Sequence, residues 1–298
     1  MRLSTLVKLS PIFVNPQERR LRAGWRLLLQ SLLMLLFITL GSLPVVHWMP
    51  HAVETNAIGA VLLLTAISGL AITSSVYIAR RWLDRRSFST LGFPLGGGLP
   101  RRDLACGMGI SMGMMGLIYL VEWSLGWLRY EGMAWQGANW PATAGEIAGW
   151  AAVFLMVGWY EELLSRGYHL RNLADGLNLP LGIVLSSAIF ALAHGDNPSS
   201  SWMSTLGLCL AGVWFAYAAV SSRGLWLPIG AHIGWNVAEG LVFGFPVSGL
   251  QVPGLVRQVA AGPEVWTGGA FGPEAGLVVL PALALGTAAI WLYTRRRG

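Results

Sequence analysis

Residues 145–166 of this 298-residue chain read GEIAGWAAVFLMVGWYEELLSR, an apolar run that ends in two adjacent glutamates and an arginine. The run is long enough to cross a bilayer as a helix, which takes roughly 20 residues. Ionisable side chains at membrane depth are costly and usually belong to a functional site. This stretch therefore predicts a membrane-spanning helix and a site within the membrane.

The composition of the whole chain agrees with a membrane protein. Hydrophobic residues make up 54% and charged residues 11%, less than half of the roughly 25% charged residues of soluble proteins. The strand-like alternation of a β-barrel is absent, so we predict an all-α, polytopic helical bundle with about eight transmembrane helices. The predicted spans are approximately 27–46, 57–79, 104–127, 145–165, 180–194, 204–221, 225–244 and 277–293.

The basic residues predict the orientation of this bundle. With a cytoplasmic N-terminus and eight spans, 18 of the 20 Lys and Arg residues fall on the cytoplasmic side, as the positive-inside rule favours. Only Arg129 and Arg257 fall outside, and the C-terminal Arg295, Arg296 and Arg297 are again cytoplasmic. The net charge of +6 comes from small basic groups between apolar runs. It therefore indicates membrane topology and lipid contact, and no nucleic-acid partner.

Two connections separate the apolar segments most clearly. Residues 84–103 form a Gly- and Pro-rich connection predicted to be cytoplasmic, and residues 245–276 form a longer predicted external loop. We find no internal repeat and no second domain. The sequence thus predicts one integral membrane domain over residues 1–298.

The two glutamates of the opening stretch cannot have the same surroundings. Glu162 and Arg166 are four residues apart and share one helix face, whereas Glu161 is rotated by about 100° from Glu162. One carboxylate can pair with Arg166 and remain ionised, while the other can line a cavity as a general base. A cluster of charges at the membrane edge is the simpler alternative for Arg166.

Two further polar motifs lie in the fifth and seventh predicted spans. They are Phe190-x-x-x-His194 and His232-x-x-x-Asn236, with Glu239 near the face of the second motif. Alone, each motif is compatible with a histidine at a helix end or with an interhelical hydrogen bond worth about 1 kcal/mol. Their joint occurrence with the glutamate motif indicates a site that hydrolyses a bond or binds a charged group.

The three motifs together, EELLSR at 161–166, FALAH at 190–194 and HIGWN at 232–236, resemble the CPBP family of intramembrane proteases, also called the Abi family. This family includes CAAX prenyl endopeptidases and bacterial proteins linked to bacteriocin processing or self-immunity. The resemblance covers about residues 145–245, which would be the catalytic core. It implies an intramembrane endopeptidase in a bacterial or archaeal cell membrane that cleaves a membrane-associated peptide or protein substrate.

The resemblance also implies roles for single residues. Glu161 would be the general base, and His194 would help to hold and activate the attacking water. His232 and Asn236 would donate hydrogen bonds to the oxyanion that develops on the scissile carbonyl. Such oxyanion donors are typically worth about 10²–10³ in rate.

Glu162 and Arg166 would support this site by fixing the helix and tuning Glu161. Zinc is the alternative cofactor, because the family is often described as metalloproteases and Glu161, His194 and His232 would be its ligands. The His-Glu-x-x-His signature of many zinc proteases is missing, however. We therefore expect a metal-independent glutamate mechanism with no cofactor.

Two other functions remain as alternatives. A non-catalytic membrane immunity or interaction protein could share the same scaffold, and a proton-coupled transporter could also use membrane Glu and His. A transporter would predict inverted repeats, which we do not find. One geometric difficulty remains, since ideal spans would place Glu161 near the cytoplasmic end of one helix and His194 near the external end of the next. We expect the fifth segment to be short or tilted.

Overall fold

The computed structural model describes residues 12–93, 99–137 and 139–296. Parts of the two termini predicted to be cytoplasmic lie outside the described residues, and Arg297 is among them. The centre of the predicted 84–103 connection also lies outside the described residues. The first part of the chain forms α1 (Ala23–Trp48), α2 (Pro50–Glu54), α3 (Ile58–Ile78), a π-helical turn at Ala79–Leu83, a 3-10 turn at Phe88–Leu91 and α4 (Leu99–Ser124). The second part forms α5 (Trp140–Glu162), a π-helical turn at Leu163–His169, α6 (Leu170–Gly176), α7 (Leu179–Leu192), α8 (Trp202–Ser222), α9 (Trp226–Asn236), a π-helical turn at Val237–Val242, α10 (Glu264–Thr267) and α11 (Val279–Arg295).

Each of the eight predicted apolar segments lies on a helix, and the fold is mostly helical. Among the described residues, five helices are long and apolar enough to cross a membrane. They are Ala23–Trp48, Ile58–Leu83, Pro100–Ser124, Trp140–Gly176 and Trp202–Ser222. Helices α7 and α11 are shorter apolar helices, so the count of eight spans stays a prediction.

The fourth predicted span, 145–165, was too short. Helix α5, its π-helical turn and α6 form one continuous helix of 37 residues from Trp140 to Gly176. Glu161 therefore lies near the middle of this helix rather than near its end. Helix α7 has 14 residues, or about 21 Å at 1.5 Å per residue, less than the roughly 30 Å hydrocarbon core. The expected short fifth segment is thus present, and the two changes together bring Glu161 and His194 to one level.

The all-α prediction missed two small antiparallel sheets. Strands β1 (Val14–Asn15) and β2 (Arg20–Leu21) pair near the N-terminus, and β3 (Leu128–Met133) pairs with β4 (Val256–Ala260). The segment 245–276 also contains α10 and a 3-10 turn at Pro273–Ala275, so it is more than a loop. These elements are short and mixed in polarity, and a search for apolar runs cannot detect them.

Helix α9 lies at the centre of the bundle, with every residue from Leu227 to Asn236 buried. It packs directly on the backbone of α4 through glycines. A Cβ atom at Gly107 would lie 2.2 Å from the carbonyl oxygen of Leu227, and one at Gly230 would lie 2.1 Å from that of Leu104. Small residues permit such close helix contacts in membranes. This contact fixes the helix that carries His232 and Asn236.

Candidate active site

The two adjacent glutamates have different surroundings. Glu162 is fully buried, and its Oε1 accepts a hydrogen bond of 2.8 Å from Nη1 of Arg166. The same oxygen lies 2.9 Å from Nδ1 of His232. The Glu161 side chain is 21% exposed, and its Oε2 is buried without a hydrogen-bond partner among the described residues. Oε2 of Glu162 is likewise buried without a hydrogen-bond partner there. The two glutamates differ because Arg166 and His232 hold Glu162 through its Oε1.

Two histidines approach that oxygen from different helices. Nε2 of His194 and Nε2 of His232 each lie 3.8 Å from Oε2 of Glu161. His194 follows the end of α7, and His232 lies within α9, so the continuous α5–α6 helix meets both motif segments at Glu161. We call Glu161, Glu162, Arg166, His194 and His232 the catalytic cluster.

The other ring nitrogens determine which atoms of the histidines face Glu161. Nδ1 of His194 lies 2.8 Å from the carbonyl oxygen of Phe190, which can only accept a hydrogen bond. Nδ1 of His232 faces the Glu162 carboxylate, which is also an acceptor. In their neutral forms, both histidines then present an unprotonated Nε2 to Glu161. In that state a bound group must donate to these acceptors, and a water molecule can donate to two of the three.

Asn236, the fourth predicted catalytic residue, is the last residue of α9. It lies one turn after His232 on the same helix face and is buried, with 6% of its surface exposed. The helix thus places Asn236 next to His232 of the catalytic cluster. The ion-pair contacts of that cluster are made by its own five residues.

Aromatic rings enclose the Arg166 guanidinium. Its central carbon lies 4.4 Å from the ring centroid of Phe190 and 5.0 Å from that of Phe215, and its Nη2 donates to the carbonyl oxygen of Gly212. The Phe215 ring also stacks on His232 at 5.0 Å. Phe190 therefore has a physical role in its motif, since it contacts the arginine through its ring and His194 through its backbone.

Sequence reasoning missed a second buried carboxylate beside α9. Oε1 of Glu274 accepts a hydrogen bond of 3.1 Å from Trp235 Nε1, and Oε2 accepts one of 2.5 Å from the Ser248 hydroxyl. Burial raises the pKa of the Glu274 carboxyl, and the charges of His194 and His232 act against that rise. No spacing in the sequence marks Glu274, because it lies in the segment 245–276 between glycines and prolines.

The residues of the zinc alternative, Glu161, His194 and His232, come together in the structure. Among the described residues, no group of three or more His, Cys, Asp or Glu side chains is arranged to hold a metal ion. Ligands of one tetrahedral zinc lie about 2.0–2.2 Å from the metal and hence about 3.4 Å from each other. The separations of 3.8 Å from Glu161 to His194 and to His232 are wider.

A comparison with protein families identifies the segment that carries this site. Residues 143–238 match the profile of the family described as type II CAAX prenyl endopeptidase Rce1-like. The matched segment contains all six predicted site residues and the α7–α9 region, and it confirms the resemblance to the CPBP family. Comparisons with curated proteins and with solved structures give no match.

Proposed function

We propose that this protein is an intramembrane endopeptidase that hydrolyses a peptide bond with a water molecule activated by Glu161. The observation that carries the proposal is the convergence of two histidines on Glu161, whose Oε2 lies 3.8 Å from Nε2 of His194 and of His232. The family match supports a CAAX protease-type activity. A membrane-associated peptide or protein is the corresponding substrate class.

In the proposed reaction, a water molecule lies between Glu161 and His194. Glu161 takes one proton from it, and the resulting hydroxide attacks the scissile carbonyl carbon. The carbonyl oxygen then becomes an oxyanion, which hydrogen bonds from His232 and Asn236 stabilise. When the tetrahedral intermediate collapses, the C–N bond breaks and Glu161 returns its proton to the leaving amine.

The Glu162–Arg166 pair supports this chemistry through His232. Because Nδ1 of His232 faces Glu162, Nε2 can donate to an oxyanion only when the ring is doubly protonated. Two carboxylates, Arg166 and an imidazolium at His232 together carry no net charge, so this state is electrostatically balanced. Glu162 would thus keep His232 oriented and charged, and Arg166 would keep Glu162 ionised.

The membrane arrangement extends this proposal. Five apolar helices and the family match indicate an integral membrane protein. We propose eight spans, cytoplasmic termini, a single domain over residues 1–298 and a catalytic core over residues 145–245. Reporter fusions at the two termini would test the orientation, since both should be accessible only from the cytoplasm.

The central experiment compares Glu161→Gln with the full-length protein, purified and reconstituted in liposomes. We expect cleavage of farnesylated CAAX peptides to fall by about 10²–10⁴-fold, because the amide cannot accept a proton. Glu146→Gln, on the exposed face of the same helix, is the matched control and should retain full activity. Equal cleavage by Glu161→Gln and the unchanged protein would exclude Glu161 as the base. Absence of cleavage by the unchanged protein would instead favour a non-catalytic interaction protein.

Metal removal separates the two mechanisms. After dialysis against a strong chelator, we expect the enzyme to cleave the same peptides at an unchanged rate. A loss of activity that only zinc restores would instead assign Glu161, His194 and His232 as metal ligands. A magnesium addition serves as the control for nonspecific ion effects.

A further inference from the structure

A cavity of about 590 Å³ lies against the Arg166 side chain. Its walls come from the π-helical turn after α3 and the segment that follows it, from the α5–α6 helix, from the start of α7 and from the end of α8. Its charged lining consists of one aspartate and five arginines, Asp175, Arg80, Arg86, Arg166, Arg171 and Arg223. We call this cavity the arginine pocket.

The positive charge of the arginine pocket is only partly balanced. Three of its arginines pair with carboxylates at 2.7–3.0 Å, namely Arg80 with Asp84, Arg86 with Asp175, and Arg166 with Glu162. Arg171 and Arg223 form no ion pair with any residue in the described ranges 12–93, 99–137 and 139–296. The Nε of Arg171 is also buried without a hydrogen-bond partner there. Two guanidinium groups are therefore available to an anion.

The rest of the pocket wall is apolar and continues onto the outer surface of the bundle. Leu170, Leu179 and Val220 line it, and Leu179 and Val220 are 43% and 38% exposed. A ligand in the arginine pocket would thus meet positive charge at one end and a hydrocarbon surface at the other.

The arginine pocket is separate from the catalytic cluster except at one residue. Glu161, His194 and His232 do not line it. Arg166 closes its inner end, is 1% exposed and is held by Glu162. A substrate carboxylate bound in the pocket would be separated from Glu161 by this buried guanidinium, which disfavours a peptide as the occupant.

We propose that the arginine pocket binds the phosphate group of an anionic phospholipid, with Arg171 and Arg223 as its main contacts and an acyl chain along α7 and α8. Basic pockets between membrane helices are known to bind anionic headgroups, and each basic residue near such a surface contributes about fivefold in affinity. Helix α7 begins and helix α8 ends at the arginine pocket. The pocket therefore lies at the level of the membrane where lipid headgroups are found. The lipid charge would also act on Arg166, and through it on the catalytic cluster.

The test titrates delipidated, full-length protein in detergent with phosphatidylglycerol and follows binding by native mass spectrometry. We expect Arg171→Gln/Arg223→Gln to weaken binding by about 30-fold, the combined effect of two basic residues. The matched control Arg81→Gln/Arg85→Gln removes the same charge from exposed residues nearby that do not line the pocket, and it should change affinity less than about twofold. Arg223→Gln alone, at an exposed position, should weaken binding about fivefold even if the double variant unfolds.

Further ligands identify what the pocket recognises. Phosphatidylcholine should bind far more weakly than phosphatidylglycerol, and inorganic phosphate should compete only at much higher concentration. Equal binding of the two lipids, or equal losses in both double variants, would overturn the proposal. So would tight binding of inorganic phosphate, or displacement of the lipid by a peptide with a free C-terminal carboxylate. The measurement needs no protease activity, so it can fail or succeed independently of the proposed function.

Discussion

The protein contains two buried ionic clusters that differ in how completely their carboxylates are paired. In the first, which we call the junction cluster, Asp84 Oδ1 accepts from Arg26 at 2.9 Å, and Oδ2 accepts from Arg80 at 2.7 Å and from Asn172 at 3.4 Å. Both oxygens of this fully buried carboxylate are thus satisfied. In the catalytic cluster, neither Glu161 Oε2 nor Glu162 Oε2 has a hydrogen-bond partner within the described part of the chain.

Under the proposed function, this difference separates the structural role of the junction cluster from the chemical role of the catalytic cluster. Burial and charge are common to both clusters, so neither property alone identifies a catalytic site. A buried carboxylate with all its hydrogen bonds made is held in place and holds its neighbours. One that is left with an open oxygen next to titratable groups can exchange protons. The junction cluster joins α1 and the turn after α3 to α6, which connects the N-terminal half to the family-matched segment.

Asp84→Ala should have the largest effect, and it should act on stability. The substitution leaves Arg26 and Arg80 buried without their carboxylate, which typically costs about 3–5 kcal/mol. Thermal unfolding of the purified protein in detergent measures the loss. The control Glu131→Ala breaks an exposed pair with Arg129 and should cost less than about 1 kcal/mol. Equal losses in the two variants would show that the junction cluster is not structural.

Asn236→Ala should have the next largest effect, and it should act on catalysis. We expect kcat to fall by about 10²–10³-fold with little change in KM, because an oxyanion donor acts mainly in the transition state. Asn172→Ala is the matched buried asparagine of the junction cluster. It should lower the unfolding temperature and leave kcat per folded molecule unchanged. If the two variants lost activity and stability in the same ratio, the contrast between the clusters would be lost.

Glu274→Gln should have the smallest effect, and it should change the free energy of unfolding by less than about 1 kcal/mol at neutral pH. The amide oxygen can still accept from Trp235, and the Ser248 hydroxyl can turn to accept from the amide nitrogen. The informative quantity is the pH dependence of unfolding. Burial raises the pKa of Glu274 in the folded state, whereas in the unfolded state this pKa is about 4.3. The carboxyl therefore contributes less to the free energy of unfolding as pH rises above about 4.3.

The variant should therefore become more stable relative to the unchanged protein as pH rises from about 4 towards neutral. Glu239, His194 and His232 are present in both proteins, so the difference between the two unfolding curves reports Glu274 together with its interactions with these neighbours. A difference that is constant with pH would show that Glu274 has the same pKa in the folded and unfolded states.

The local features of the catalytic cluster were predictable, because they depend on spacing within one helix. The Glu162–Arg166 pair follows from a four-residue separation, and the apolar runs locate the helices. The junction cluster was not predictable in this way, since Asp84 meets Arg26 across 58 residues and Asn172 across 88. The continuation of α5 through its π-helical turn was also missed, because Arg166 and Arg171 suggested a helix end.

The glycine contact between α4 and α9 has a consequence for how a substrate enters. With the backbone at Gly230 touching Leu104, and a Cβ at Gly234 only 2.6 Å from the Met108 Cα, these two helices cannot slide or separate without losing their tightest interface. They must therefore move as one rigid unit. Under the proposed function, a polypeptide therefore reaches the catalytic cluster by a route other than the interface between α4 and α9.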